Sequence, residues 1–315
     1  MTDTQKEVFK TPVNKIRLFE HGAPGSQNLK LTRKYYTEDM PDGRVKHIVQ
    51  NITDPDIVPY IPDGIGNSTD RQRIPAVLII PGGAFRRLVY NFEGEDVAKW
   101  LNSMGIAAFV LECRLPSDEH DNAEDVPLID AMRAMRVIRG RAQEFGIDEA
   151  KIGVMGFSAG GFMAALLSTA YESDVYADYK DEYDKLSARP DFAVCSYPVI
   201  SIDDCIEAGK RYMSEEQVLE RISDSKAKIL HKYNPDKLVR PDMPPVFICE
   251  TDDDRTTLSE NSVGFYMAAR KAGVSAELHI FRTGGHGYGC GDDFAQTGEW
   301  KVLFTKWIKS IGIIS

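Results

Sequence analysis

The 315-residue chain is short of several things. No apolar run approaches the roughly 18 residues that a membrane-crossing helix needs, which argues against a membrane protein. Cysteine is sparse and odd in number: Cys113, Cys195, Cys205, Cys249 and Cys290. None of them forms a CxxC pair or a His/Cys cluster with ligand spacing, so neither a zinc site nor a disulfide framework is expected. Cys113, Cys195 and Cys249 lie in the apolar runs LECR, AVCSY and VFICE, where buried, reduced thiols are expected. Positive charge is also in deficit. With 38 Lys and Arg against 48 Asp and Glu, the net charge of −10 argues against a partner with a phosphate backbone. There is no internal repeat and no low-complexity linker. The first residues, MTDTQKEVFKTPVNK, contain no apolar core of a signal peptide, so a cytoplasmic location is expected.

What is present is ordinary globular composition, 43% hydrophobic and 27% charged, in a chain long enough for one large core. Residues 1–70 are polar and punctuated by Pro and Gly, with one strand expected at 45–51. Strands and helices then alternate, which predicts an α/β fold with a mostly parallel sheet and helices on both faces. Strands are expected at 75–80, 106–113, 151–157, 193–200, 245–250 and 276–281. Helices are expected at 93–104, 127–145, from 159 onward, at 259–272 and at 297–311. The whole of 1–315 reads as a single domain, with 1–70 as an extension carrying the first strands. Residues 202–243 interrupt the alternation as a cap-like insertion, with a capping-box helix start at Ser214-Glu215-Glu216-Gln217.

The chemistry concentrates in Gly156-Phe157-Ser158-Ala159-Gly160. A chain of this length meets G-x-S-x-G by chance about 0.1 times. Here an apolar strand precedes it and a small-residue helix follows, the setting of a nucleophile elbow that presents Ser158 at a helix N-terminus. A serine nucleophile needs a base, and the base needs a carboxylate to orient it. His286, in a Gly-rich loop directly after a strand, is the candidate base. Asp252, Asp253 and Asp254 all follow the strand VFICE and are all candidate acids in the chain order Ser, acid, His. Pro81-Gly82-Gly83-Ala84-Phe85 after an early strand, together with Ala159, offers backbone N–H groups for an oxyanion.

The run PGGAF, EGEDVAKWLNSMGIAAFVLECRL, GFSAGG, PPVFICETDDD and GGHGYG resembles the α/β-hydrolases. More narrowly, it is similar to the esterase families that include acetyl xylan esterases and bacterial feruloyl esterases. The resemblance extends from about residue 16 to the last helix. It implies a catalytic triad of Ser158, Asp253 and His286, and oxyanion donors at Gly83, Ala84 and Ala159. Pro81 and Ala84 stand where many lipase relatives have His and a third Gly. Phe162 stands where a His is common. Phe85, Phe162 and Tyr288 are expected to narrow the substrate site.

The function these residues imply is a serine carboxylic-ester hydrolase for short acyl groups, acetyl on sugars or xylo-oligosaccharides first. The alternatives are a feruloyl esterase, a prolyl-oligopeptidase-type peptidase and a silent hydrolase fold used for binding. The partner is a small-molecule or oligosaccharide ester. No cofactor, metal, nucleic acid or membrane is called for, and a homo-oligomer is left open.

Overall fold

The computed structural model describes residues 9, 13–65, 73–176, 180–211, 213–222, 228–291 and 295–315. Its strands are β1 (Ile16–Arg17), β2 (Lys34–Asp39), β3 (Val45–Gln50), β4 (Asp56–Tyr60), β5 (Ile74–Ile80), β6 (Leu88–Val89), β7 (Ala107–Glu112), β8 (Ile147–Phe157), β9 (Ala193–Ser196), β10 (Val246–Thr251) and β11 (Ala276–Phe281). Eight form one sheet in the order β1-β4-β7-β5-β8-β9-β10-β11. From β7 to β11 every pairing is parallel, whereas β4 and β1 add an antiparallel edge. Strands β2, β3 and β6 make a separate antiparallel sheet.

The helices are α1 (Asp96–Ser103), α2 (Val126–Gly140), α3 (Ala142–Phe145), α4 (Ala159–Ala170), α5 (Ile202–Lys210), α6 (Glu215–Ile222), α7 (Lys228–Lys232), α8 (Ser259–Lys271), α9 (Ala295–Gly298) and α10 (Trp300–Ser310). They lie on both faces of the sheet, as β10 illustrates. Phe247 packs its ring on Trp307 of α10, while Glu250 accepts a hydrogen bond from Ser262 of α8. Positions an odd number apart on a strand point to opposite faces, so α8 and α10 sit on opposite sides. Strands β5, β7, β9 and β10 are buried along nearly their whole length, as continuous apolar runs in a parallel sheet require.

The expected strands and helices are present, with changed bounds that have local causes. β9 ends at Ser196 because Tyr197 turns to φ 36° and Pro198, which follows, has no N–H for a ladder. The helix expected at 127–145 breaks at Arg141, and the one at 297–311 is interrupted at Glu299. The capping box forms: the Ser214 N–H donates to Gln217 Oε1 at 3.0 Å, and the Gln217 N–H donates to Ser214 Oγ at 3.3 Å. Strands β1, β2, β4 and β6 were not expected. They are short or half-exposed, and β4 carries Pro59.

Candidate active site

Ser158 follows β8 and precedes α4 with φ 54° and ψ −118°, a strained conformation for a non-glycine residue. The neighbouring glycines permit the close approach of chain that this requires. A Cβ on Gly156 would lie 1.9 Å from the Gly160 carbonyl oxygen, and one on Gly160 would lie 1.9 Å from that of Ile80. No side chain fits at either position. The Ser158 N–H is bonded to the Ser196 carbonyl at 3.0 Å, which fixes the elbow to β9.

His286 lies in the loop after β11, and its Nε2 is 2.9 Å from Ser158 Oγ. Its Nδ1 is 2.6 Å from Asp254 Oδ2. The structure thereby corrects the acid expected from the resemblance. Asp253 points away from the ring, and its Oδ1 accepts the N–H groups of Gly284 and Gly285 at 2.9 and 2.8 Å. Asp252 is exposed. The cause is register. β10 runs one residue further than expected, to Thr251, and a turn closed by Asp254 N–H on Thr251 O swings Asp254 inward.

Asp254 is 3% exposed. Its Oδ1 accepts the N–H groups of Thr256 and Thr257 at 2.6 and 2.9 Å, and its Oδ2 also accepts the Thr257 hydroxyl at 2.9 Å. Burial acts to raise this carboxyl, but the His286 ring and the Thr256 and Thr257 donors together hold it below its ordinary value. Glu250, buried on the same strand end, is driven well above its ordinary value by burial and by the neighbouring Asp254 carboxylate.

The loop after β5 faces the serine. Gly83 (φ 137°), Ala84 (φ 56°) and Phe85 (φ 58°) all depart from the usual right-handed region. Among the described residues, no hydrogen bond occupies the N–H groups of Gly83, Ala84 and Ala159. The Gly82 N–H is by contrast committed, donating to Glu93 Oε2 at 2.8 Å.

Glu93 and Tyr197 were not singled out from the sequence. Glu93 is 5% exposed, and burial pushes its carboxyl up. Besides Gly82 it accepts the Tyr197 hydroxyl at 2.9 Å, and Tyr197 accepts the Gly289 N–H at 3.1 Å. The Tyr197 ring meets the His286 ring edge-on at 5.0 Å. One buried acid and one tyrosine thus tie together the loops that carry Gly83 and His286. In sequence, Glu93 reads as one more acidic residue at a helix start, and nothing in its neighbours signals its burial.

A cavity of about 250 Å³ opens over Ser158 and His286, walled in part by Gly83, Ala84, Val89, Phe92 and Thr256. The rest of its wall includes Met40, Arg44 and Lys46 from β3 and the turn before it, so the polar N-terminal extension reaches the site. The aromatic residues expected to narrow the site lie elsewhere, which is a second correction. Phe162 is fully buried and meets Phe85 edge-on at 5.5 Å, below the loop. Tyr288 is 5% exposed and packs on Tyr197. They are apolar side chains in a sheet-packed region, so the core took them. No described residue of 202–243 lines this cavity. Among the described residues there is also no cluster of three His, Cys, Asp or Glu that could hold a metal ion, and no helix long and apolar enough to cross a membrane.

A serine, an imidazole ring and a carboxylate thus form one hydrogen-bonded chain with unoccupied N–H groups nearby, an arrangement chemically suited to acyl transfer. Known proteins resemble it over different spans. An acetylxylan esterase of Xylanibacter ruminicola is 31% identical over 238 residues, 75% of this chain and 45% of that protein. Endo-1,4-beta-xylanase B of Butyrivibrio fibrisolvens is 31% identical over 225 residues, 71% of this chain and 34% of that protein. The chain therefore spans less than half the length of these two relatives. Among solved structures, an acetyl ester-xyloside bifunctional hydrolase from Caldicellulosiruptor lactoaceticus is 34% identical. It covers 96% of this chain and 98% of its own, with a TM-score of 0.73. A Thermogutta terrifontis esterase with propionate bound is 25% identical, covering 93% and 96%, with a TM-score of 0.65. The BD-FAE family model matches residues 65–268, nearly two thirds of the chain, from before β5 into α8. By that match and by its fold, the chain belongs to the BD-FAE family and is an α/β-hydrolase.

Proposed function

We propose that this chain is a serine carboxylic-ester hydrolase that removes short acyl groups, acetyl first, from acylated sugars or xylo-oligosaccharides. The observation that carries this reading is the chain of hydrogen bonds from Ser158 through His286 to Asp254 beneath an open cavity. Ser158 Oγ attacks the ester carbonyl while His286 Nε2 takes its proton. Asp254 holds the ring through Nδ1 and balances the charge that the ring then carries. The oxyanion is received by the N–H groups of Gly83, Ala84 and Ala159, helped by the positive end of α4. His286 returns the proton to the departing alcohol and then draws one from water, which releases the acid from Ser158. The acetyl preference is supported by the small cavity and by the acetyl ester hydrolases among the relatives. Buried thiols outside any disulfide at Cys113, Cys195 and Cys249 support the reducing, cytoplasmic setting expected from the sequence.

The test is a panel of nitrophenyl esters of rising chain length beside acetylated xylo-oligosaccharides, methyl ferulate and an aminoacyl anilide. Acetyl esters should be cleaved fastest, and Ser158→Ala should lower kcat by about 10⁴-fold or more with Tm unchanged. Faster cleavage of octanoyl esters or of the anilide overturns the assignment.

A further inference from the structure

The cavity over Ser158 has an unusual charge for this protein. The chain has ten more acidic than basic residues, yet three side chains of this small cavity are cations: Arg44, Lys46 and Arg87. Among the described residues the only carboxyl lining it is that of Glu93, which is buried and already engaged by Gly82 and Tyr197. Arg44 and Lys46 are two positions apart where the chain enters β3, so an extended backbone sends both to one face.

The cations are held in different ways. Arg87 Nη1 contacts both carboxylate oxygens of Glu38, at 2.6 and 2.8 Å. Arg44 is paired with Asp42 through Nε at 2.9 Å and Nη2 at 2.8 Å, and lies over the Phe92 ring at 5.2 Å. Lys46 sits opposite Glu38 across the hairpin, but Glu38 gives both its oxygens to Arg87. Half-buried Lys46 has no salt bridge within 4 Å among the described residues, although its charge does act on the buried Glu93 carboxyl. A partly desolvated cation beside a nucleophile attracts an anion into the site.

Next to this cavity lies a second one of about 400 Å³ that shares Arg44 and Phe92 with it. Trp100, Tyr288, Lys99, Lys301 and Asp96 also line it. The half-buried Phe92 and Trp100 rings among polar groups suit a sugar ring, and the larger part of the substrate has room to extend there from Arg44. We propose that the alcohol portion of the substrate carries a carboxylate, as in an acetylated uronic-acid saccharide, and that Lys46 and Arg44 receive it. Lys46 supplies the charge, and Arg44 sits where the two cavities meet. This rests on the ester-hydrolase reading above.

The experiment compares a mono-O-acetylated methyl glucuronoside with its glucuronamide twin, which differs only in lacking the charge. Nitrophenyl acetate reports on ester cleavage itself. For the full chain at low salt, kcat/KM for the carboxylate should exceed that for the amide by about tenfold or more, and the ratio should fall towards one in about 0.5 M NaCl. Lys46→Glu should lower the carboxylate-to-amide ratio at least tenfold, and Arg44→Gln should lower it less. Because each ratio is internal to one protein, partial misfolding of a variant does not produce it. Equal turnover of acid and amide, or a ratio that Lys46→Glu leaves unmoved, overturns this proposal alone. Failure to cleave any of the three esters overturns the ester-hydrolase reading with it.

Discussion

Asp254 is a carboxylate with every side of it engaged: two backbone N–H groups, one hydroxyl and the His286 ring. Its neighbour Asp253 is one residue away and does different work, holding the Gly284–Gly285 turn that precedes the histidine. Replacing each by Asn separates the two. Asp254→Asn presents an amide N–H where the ring nitrogen needs an acceptor, and in serine proteases the same exchange lowers kcat about 10⁴-fold. A loss of that order is expected here, with KM little changed. Asp253→Asn keeps the Oδ1 acceptor for both glycine N–H groups, so activity within about tenfold of the parent is expected. Steady-state kinetics on nitrophenyl acetate decides the matter. A crippled Asp253→Asn with an active Asp254→Asn would mean that Asp253 is the acid after all.

At the level of elements, the geometry around Ser158 depends on how tightly β5, β8 and α4 approach each other. Gly160 at the start of α4 touches the end of β5 so closely that even a methyl group collides with a backbone carbonyl. A side chain can rotate away from a clash, but a strand in the middle of a sheet cannot. Gly160→Ala should therefore cost more than the usual 1–3 kcal/mol of an overpacked core, at least about 3 kcal/mol. The measurement is the midpoint of urea unfolding. A loss of unfolding free energy below about 1 kcal/mol, from the midpoint shift multiplied by m, would show that the elbow is looser than described. The strain at Ser158, Ala84, Phe85 and Tyr197 has the same origin. These four positive-φ residues surround one site, held there by strands that do not yield.

For the molecule as a whole, stability against pH is set by buried groups of opposite sense. His120 is depressed to about 4, by burial first and then by the Arg114 cation. Its contribution to stability is complete above the ordinary histidine value and is lost as pH falls towards 4. Asp118 is raised to about 6, chiefly by burial, and Asp56 is raised in the same direction by burial and the nearby Glu112. Their contributions are complete below the ordinary aspartate value and are lost as pH rises through 6. Between pH 4 and 6 the two senses oppose, which flattens the parent's profile. Asp118→Asn removes one rising carboxyl while leaving an acceptor for the Ile52 N–H that now reaches Asp118 Oδ2. The variant should melt above the parent at pH 7, and the gain should vanish near pH 4. Melting curves across that range test this, and a gain that grows on acidification would contradict the sign.

The sequence by itself determined the parts of this protein whose signals are local. The parallel core is written as apolar runs, because strands buried on both faces need them, as in PAVLII and IAAFVLEC. The elbow is equally legible, since Gly156 and Gly160 leave no ambiguity about a turn that excludes side chains. The helix start at Ser214 is local too, as its capping box shows. Tertiary structure alone decided which of three adjacent aspartates meets His286, because a single extra ladder residue in β10 rotates the whole loop. It alone buried Glu93, whose partners Gly82 and Tyr197 lie on other strands' loops, up to 104 positions away. It alone moved Phe85, Phe162 and Tyr288 into the core and brought Arg44 and Lys46, more than a hundred residues before Ser158, to the rim of its cavity. Local patterns specify backbone conformation and burial on average. Which side chains share a pocket depends on long-range register, and that is settled only when the strands pair.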